Sequence, residues 1–388
     1  MTFLFLLGCA GDTEETDGRD TADTAGGGDS GDTATVEDEN FPFGDKAFDF
    51  GITLDQEAID ALAADPATDV HATFTYGDES WDAGLHLKGS RSFLGLDEKA
   101  SFKIDFHEWD PQDRFHGLKR LTLNNMIQDS TMSSEHASYE LHARMGNVAP
   151  RHGYARVTVN GEWYGLYSVV EGVDDDFLER AFPDDDEGNL YEGGYGGDVQ
   201  EGCARLFEQK EGTDTSLADL AAMIDAVEAS TPETFPALLA EHFDVESLLD
   251  MWAVELISSN DDAYTTLGNN YFAYHAPSGK WTLIPWGTDE AFQGDEALFS
   301  NIGGALAERC VASSCEADLI DRIGATLEVW EQTDFSGWVD AETTRIENDC
   351  RTDPRSEWGD YGCRDALIAL RAWVAARPGV VRAELGSN

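Results

Sequence analysis

The sequence predicts an α+β protein with an N-terminal half rich in antiparallel sheet and a C-terminal half rich in helix. Three observations predict this fold class. Apolar and polar residues alternate in several segments between residues 70 and 171, which is the period of half-buried strands. From about residue 217 onwards, apolar residues recur at helical spacing. A hydrophobic content of 41% and ten Trp residues indicate a folded chain, and the order of the two halves suggests two lobes.

Strand patterns account for most of the N-terminal half. Alternation predicts strands over Val70–Tyr76 and Asp82–Lys88. A further pair of strands is predicted on either side of Asn160-Gly161, a dipeptide that tolerates the positive φ angles of a type I′ hairpin turn. One helix, Ser133–Met145, interrupts the strands and is followed directly by a glycine, which is typical of a helix end.

The clearest single strand pattern is KASFKIDF, which covers Lys99–Phe106. Phe102 and Ile104 point to one side of this strand, whereas Lys99 and Lys103 point to the other. The apolar side is expected to pack in a core. The two lysines are expected on a polar face, where they are either solvated or available to a ligand.

Helical patterns dominate the C-terminal half. They predict helices at Leu217–Ala229, Pro232–Phe243, Ala317–Val329 and Cys363–Ala376. Another helix follows Asp244, its predicted N-cap, and leads directly into the sequence NDDAYTTLGNN. The next segment, YFAYHAPSGKWTLIPW, is predicted to form a β-hairpin with its turn at Pro-Ser-Gly.

The chain carries a formal net charge of −52 and few lysines. This charge argues against nucleic acid as a partner, because no basic stripe is present to neutralise phosphates. An acidic, lysine-poor surface is typical of proteins in salty surroundings and of proteins that bind divalent cations. Composition alone does not separate these two explanations.

The first nine residues, MTFLFLLGC, resemble the end of a bacterial lipoprotein signal in which Cys9 is lipidated. The apolar run is short and lacks a basic start, so an ordinary frayed N-terminus is the alternative. Residues 10–40 consist largely of Gly, Asp, Thr and Glu, which predicts a disordered acidic tether. A lipid anchor at Cys9 and this tether would place the folded part outside the cytoplasm, with no other membrane contact.

Four cysteines lie in two close pairs, Cys310 with Cys315 and Cys350 with Cys363. Two local disulfides are therefore predicted in an oxidising compartment. Cys203 is then left unpaired, unless the pairing is different. A zinc site is the alternative, but these spacings lack the paired C-x-x-C pattern.

The strongest chemical pattern surrounds residue 262. A hydrophobic helix is followed by a loop with Asp262 and Asn270, then by the hairpin, and then by Asp289. Protein kinases use this order: the first Asp accepts the substrate hydroxyl proton, whereas the Asn and the second Asp hold magnesium ions on ATP. The Asp-to-Asn spacing is eight here, and no His-Arg-Asp or Asp-Phe-Gly string is present. A surface loop of an acidic protein is the alternative.

Several fragments resemble the CotH kinase family, an atypical secreted branch of the kinase fold. They follow the family's order over about residues 85–295: KGSRS, EKASFKIDF, LNNMIQDSTMSSEHASYELHARMGNVAPRHGYARVTVNGEWYGLYSVVEGVDDDFLERAF, GNLYEGG and SSNDDAYTTLGNNYFAYHAPSGKWTLIPWGTDEAF. The resemblance implies an atypical protein-kinase-like two-lobed fold over residues 41–388, with a sheet-rich lobe at about 41–195 and a helical lobe at about 196–388. It also implies an extracytoplasmic enzyme that transfers the γ-phosphate of ATP to Ser or Thr of secreted or surface proteins, with Mg²⁺ or Mn²⁺.

The resemblance further implies roles for individual residues. Asp262 corresponds to the catalytic aspartate, and Asn270 and Asp289 are the candidate metal ligands. Lys99 is expected on the ATP phosphates, with Glu135 of the interposed helix as its ion-pair partner.

Lys103 and Arg91 are further candidates for phosphate binding. Gly287 departs from the family pattern, since many members have Asp there. The simpler interpretations are that Asp262 ends a helix in solvent and that Glu135 is a surface residue. A catalytically weak or inactive surface binding or adhesion module of the same fold is therefore the alternative function, and adenylylation is a third.

Overall fold

The structure, a computed structural model of the chain, describes residues 41–386 except residues 45, 214 and 295–296. Cys9 and residues 10–40, for which a lipid anchor and a tether are predicted, lie outside the described residues. The described part is a mixed α+β protein with a sheet-rich N-terminal region and a largely helical C-terminal part, so this level of the fold prediction is confirmed.

The N-terminal region contains seven strands and two helices. In chain order they are β1 (Ala47–Thr53), α1 (Gln56–Ala64), β2 (Val70–Tyr76), β3 (Glu79–Lys88), β4 (Ser101–Asp105), β5 (Arg120–Asn124), α2 (Ser134–Met145), β6 (His152–Val159) and β7 (Glu162–Glu171).

The rest of the described chain contains four further strands and nine further helices. They are α3 (Asp175–Ala181), β8 (Asn189–Gly193), β9 (Phe207–Glu211), α4 (Ala218–Ala229), α5 (Phe235–His242), α6 (Val245–Ile257), α7 (Tyr264–Leu267), β10 (Tyr271–His275), β11 (Trp281–Pro285), α8 (Ala305–Val311), α9 (Cys315–Gln332), α10 (Phe335–Thr352) and α11 (Gly359–Leu385).

Strands β1 to β7 form a closed barrel in the order β1-β2-β3-β4-β5-β7-β6. Neighbouring strands are antiparallel, as predicted, except β1 and β6, which pair in parallel and close the barrel. Closure leaves no free strand edge and turns every second side chain inward. Phe102 and Ile104 of β4 are buried in this interior, as their alternation predicted, together with Phe115.

The predicted hairpin between β6 and β7 is confirmed. Asn160 and Gly161 form its turn with φ angles of 51° and 80°, which is the left-handed pair that a type I′ turn requires. The side chain of Asn160 also accepts a hydrogen bond from the Leu54 N–H at 2.8 Å. The turn is thereby tied to the chain that follows β1.

A second, four-stranded sheet has the order β11-β10-β8-β9 and is antiparallel throughout. Its strands β10 and β11 are the hairpin predicted in the C-terminal half, whereas β8 and β9 were not predicted. The lobe boundary near residue 195 stays a prediction, and it falls between β8 and β9, which pair with each other.

The helices of the C-terminal part enclose the largest hydrophobic core of the described residues. α6 begins at the predicted N-cap Asp244, whose carboxylate accepts the Ser247 N–H at 3.2 Å. α6 packs against α9 and β11, and α10 packs against α11. None of the described helices combines the length and the apolar character that crossing a membrane requires.

The cysteine pairs behave as predicted. Disulfides join Cys310 to Cys315 and Cys350 to Cys363, so these four cysteines are not zinc ligands. Cys203 is disulfide-bonded too, and the expectation of an unpaired Cys203 is therefore wrong.

Helix α2 and strand β6 share a buried histidine cluster. The Nδ1 atoms of His136 and His152 lie 2.6 Å apart, and Asn147 Nδ2 lies 3.0 Å from His142 Nδ1. Burial lowers the pKa of His136 and of His142 to about 3. The folded protein therefore keeps both rings neutral well below the pH at which exposed histidines become charged.

Acidification is consequently expected to weaken the fold through His142. Below its ordinary pKa of 6.5, this ring takes up a proton in the unfolded chain but not in the folded one, so the free energy of unfolding falls as the pH drops towards 3. Between pH 7.5 and 5.0 this single group should lower that free energy by about 2 kcal/mol. Urea unfolding at both pH values should show that His142→Asn loses about 2 kcal/mol less than the wild type.

Leu141→Ala is the matched control, because Leu141 is a buried neighbour in the same helix and does not titrate. Its stability should be lower at both pH values but should depend on pH as the wild type does. An unchanged pH dependence in His142→Asn would contradict the prediction.

Candidate active site

A cleft of about 760 Å³ lies between the barrel and the second sheet. Residues of β3 to β5 line one side, and residues of β8 to β10 and of the loops after α6 and β11 line the other. Its volume is ample for a nucleotide-sized ligand. Six of the seven predicted site residues line this cleft: Arg91, Lys103, Glu135, Asp262, Asn270 and Asp289.

The loop after α6 presents Asp262 in a fixed orientation. The carboxylate of Asp262 accepts hydrogen bonds from Asn269 Nδ2 at 3.0 Å and from Asn270 Nδ2 at 2.8 Å, one on each oxygen. Behind the loop, the buried carboxylate of Glu255 accepts the Thr265 N–H at 3.0 Å. Asp262 is thus a cleft residue held by neighbours rather than a solvated helix end.

Asn270 links the Asp262 loop to the segment after β11. Its Nδ2 also donates to the backbone carbonyl of Gly287 at 3.2 Å. Because hydrogen-bond acceptors surround this nitrogen, the orientation of the amide group is determined, and Oδ1 is the atom on its other side. Gly287 has a φ of 53°, and a Cβ there would lie 3.2 Å from Asn270 Cγ. The absence of a side chain at Gly287 therefore leaves room for Asn270, and Asp289 supplies the carboxylate of this segment.

Two carboxyl groups that interact electrostatically, those of Glu135 and Asp289, line the cleft. Glu135 of α2 is 2% exposed, and Asp289 is partly buried. Burial and the nearby Glu135 raise the pKa of Asp289 to about 8, and burial also raises the pKa of Glu135. Two acidic groups in such surroundings must share a proton or face a cation.

Lys88, at the end of β3, is a positively charged residue close to Glu135. Lys88 Nζ donates to Asn124 Oδ1 at 2.7 Å, and Asn124 Nδ2 donates to the two carboxylate oxygens of Glu135 at 2.8 and 3.0 Å. Burial lowers the pKa of Lys88, and the charge of Glu135 opposes that shift. Lys88 and Asn124 were missed as site residues, although they belong to the fragments KGSRS and LNN that carry the family resemblance.

Lys99 does not lie in the cleft. Lys99 Nζ donates to Asp353 Oδ2 at 2.7 Å, and both side chains are fully buried. Asp353 also accepts the N–H of Leu166 at 2.9 Å. The expectation that Lys99 pairs with Glu135 beside the other site residues is wrong, because β4 begins only at Ser101 and the strand alternation does not extend to Lys99.

Lys103 and Arg91 reach the cleft from different elements. Lys103 projects from the polar face of β4 and faces Glu192 of β8, while burial lowers its pKa. Arg91 lies in the loop after β3. Near it, Gln128 Nε2 donates to Glu290 Oε1 at 2.6 Å, and Arg91 interacts with that carboxylate electrostatically.

The fold and the cleft define an α+β protein in which lysines of the barrel share one cleft with carboxylates and an amide from the loops beside the second sheet. The chain belongs to the CotH kinase protein family, whose family model matches residues 85–354. It is also similar to inner spore coat protein H of Bacillus subtilis (strain 168), with 25% identity over 208 residues, which cover 51% of this chain and 56% of that protein. The chain thus spans only a little more than half the length of this curated relative.

The Lys99–Asp353 pair predicts a purely structural effect. Lys99→Met should lower the free energy of unfolding by about 3 kcal/mol or more, because it leaves the Asp353 carboxylate buried without a partner. Urea unfolding measures this loss. Lys103→Met, four residues further along the chain and at the cleft, should change stability by less than about 1 kcal/mol. Equal losses in the two variants would contradict the structural assignment of Lys99.

Proposed function

We propose that this protein is an atypical kinase of two-lobed, kinase-like architecture that transfers the γ-phosphate of ATP to Ser or Thr hydroxyls of proteins. The observation that carries the proposal is the meeting of Asp262, Asn270, Asp289 and Lys88 in one cleft, although they belong to three separate segments. Membership of the CotH kinase family supports kinase activity at the level of the family.

Asn270 Oδ1 and the Asp289 carboxylate would hold Mg²⁺ or Mn²⁺. Oxygen donors of this kind suit hard divalent cations, and the hydrogen bonds of Asn270 Nδ2 reserve Oδ1 for that use. Burial and the charge of Glu135 raise the pKa of Asp289, so a positive charge beside these two groups would be stabilising. A bound cation would neutralise charge on the ATP phosphates.

The other residues of the cleft position the reactants. Asp262, oriented by the two asparagines, would accept the proton of the acceptor hydroxyl. Lys88, which the Asn124–Glu135 hydrogen bonds hold in place, would donate to phosphate oxygens as a point charge. Lys103 and Arg91 would add positive charge along the phosphates.

The cysteines and the relative support an extracytoplasmic location. Two local disulfides are typical of an oxidising compartment. The similar Bacillus protein carries the name of a spore coat component, which is a surface structure. We propose that the chain lies in the cell envelope and that its acceptors are secreted or surface proteins rather than nucleic acids.

Removal of the proposed base tests the activity directly. With ATP, Mn²⁺ and dephosphorylated casein as the acceptor, Asp262→Asn should lower the rate of phosphate transfer at least ~100-fold, because the hydroxyl proton then has no acceptor. The adjacent Asp261→Asn should keep the rate within about threefold of the wild type. Phosphate transfer is measured by the mass of the acceptor, which also separates phosphorylation from adenylylation. Equal rates in wild type and Asp262→Asn would refute the assignment.

Metal and nucleotide binding test the cleft without turnover. The melting temperature of the wild type should rise only when Mn²⁺ and ATP are both present.

Asp289→Asn should abolish this rise in melting temperature, because it removes the charged ligand of the metal. Lys88→Met should weaken the apparent affinity for ATP at least ~10-fold. A rise with Ca²⁺ alone and none with ATP would instead favour a surface binding module, the alternative that the acidic surface suggests.

A further inference from the structure

A buried carboxylate outside the cleft joins the loops that form it. Asp198 follows β8 in the sequence GGYGGD and is 4% exposed. Its Oδ1 accepts hydrogen bonds from the Val199 N–H at 2.6 Å and from the Tyr264 hydroxyl at 3.1 Å. Its Oδ2 accepts the Ala305 N–H at 2.8 Å. A single side chain therefore connects three segments that are far apart in sequence.

One of these segments is the loop that carries Asp262. Tyr264 begins α7 two residues after Asp262, is fully buried, and also accepts the Leu306 N–H at 3.0 Å through its hydroxyl. At Gly268, with a φ of 61°, a Cβ would lie 2.9 Å from Asp198 Oδ2. The loop therefore closes directly onto the carboxylate at both ends of α7.

Another of these segments is a wall of the cleft. Gly193, Gly194 and Tyr195 line the cleft, and Tyr195 is 67% exposed at its mouth. The same glycine-rich segment is attached to β10 by a hydrogen bond from the Tyr271 hydroxyl to the Gly197 carbonyl at 3.2 Å. Asp198 thus connects the cleft wall that precedes it with the Asp262 loop.

We propose that Asp198 is a positioning residue for the phosphoryl transfer. Its carboxylate holds the Asp262–Asn270 loop in a fixed position relative to the cleft wall around Tyr195 and relative to the start of α8. This inference rests on the proposed function. Asp198 does not line the cleft, so it acts through Tyr264 and the loop. Small displacements of a reacting group lower rates strongly, because the reaction requires a near-attack geometry.

Asp219, in the first turn of α4, provides a matched control. It also accepts a tyrosine hydroxyl, that of Tyr191 at 2.6 Å, and an amide, Asn189 Nδ2 at 2.8 Å. It does not line the cleft and has no hydrogen bond to the Asp262 loop among the described residues. A general loss of packing or polar contacts should therefore appear in Asp219→Asn as well.

The kinetic test compares Asp198→Asn, Tyr264→Phe, their double variant and Asp219→Asn with ATP, Mn²⁺ and dephosphorylated casein. Asp198→Asn should lower kcat about 10- to 100-fold and change the KM for ATP less than about threefold. The reason is that the Asn side chain has one acceptor oxygen, whereas both oxygens of the Asp198 carboxylate accept hydrogen bonds. The double variant should be no slower than Asp198→Asn by more than about twofold, since both substitutions break the same connection. Asp219→Asn should keep kcat within about twofold.

Hydrogen exchange gives a readout that does not require activity. Amides of residues 262–270 should exchange at least about 10-fold faster in Asp198→Asn and faster in Tyr264→Phe, but not in Asp219→Asn. If Asp198→Asn fails to fold, Tyr264→Phe decides, because it removes only one hydroxyl. Faster exchange together with no phosphate transfer in the wild type would uphold the role in positioning the loop and refute the proposed function. Unchanged exchange in both variants, or an equal loss of kcat in Asp219→Asn, would overturn the inference.

Discussion

The presence of two acidic groups, Glu135 and Asp289, in one cleft is the constraint on which the rest of the site depends. Burial raises the pKa of Asp289 to about 8, with a smaller contribution from the charge of Glu135, because a poorly hydrated space disfavours negative charge. Such an arrangement persists only if positive charge or a proton is present. Lys88 of the barrel supplies positive charge, and it is connected to Glu135 by hydrogen bonds through Asn124 rather than by direct contact. The proposed metal and phosphate groups would add positive charge and ligand oxygens at this point of the cleft.

The lysines in and before strands β3 and β4 have different surroundings. Lys99 and Asp353 are fully buried and tie the start of β4 to the segment after α10. A pair of that kind cannot exchange its partner for a ligand without leaving a buried charge. Lys88 and Lys103 line the cleft instead. Lys99 donates to the buried carboxylate of Asp353, whereas Lys88 donates to the amide oxygen of Asn124, so the partner of the ammonium group separates these lysines.

The loops of the cleft are shaped by residues in the left-handed region of backbone space. Ser259 and Asn270 adopt φ angles of 48° and 55°, and Gly268 and Gly287 adopt 61° and 53°. Non-glycine residues rarely take this conformation, and at Asn270 the side-chain hydrogen bonds to Asp262 and to the Gly287 carbonyl stabilise it. The result is that the carboxylate of Asp262 and the amide of Asn270 meet although seven residues separate them. Asp198 and Glu255 support the same loop from behind, through Tyr264 and Thr265.

The sequence by itself determined the local features of this protein. Alternation and helical periodicity identified most strands and helices, Asn160-Gly161 identified its hairpin, and the order of Asp262, Asn270 and Asp289 identified one side of the cleft. These signals are local, because each depends on neighbours within a few residues. The parallel pairing of β1 with β6 and the partners of Lys99, Lys88 and Asp198 join segments up to 254 positions apart. Only the tertiary structure decided them, since long-range packing and the burial of charge leave no periodic trace in the chain.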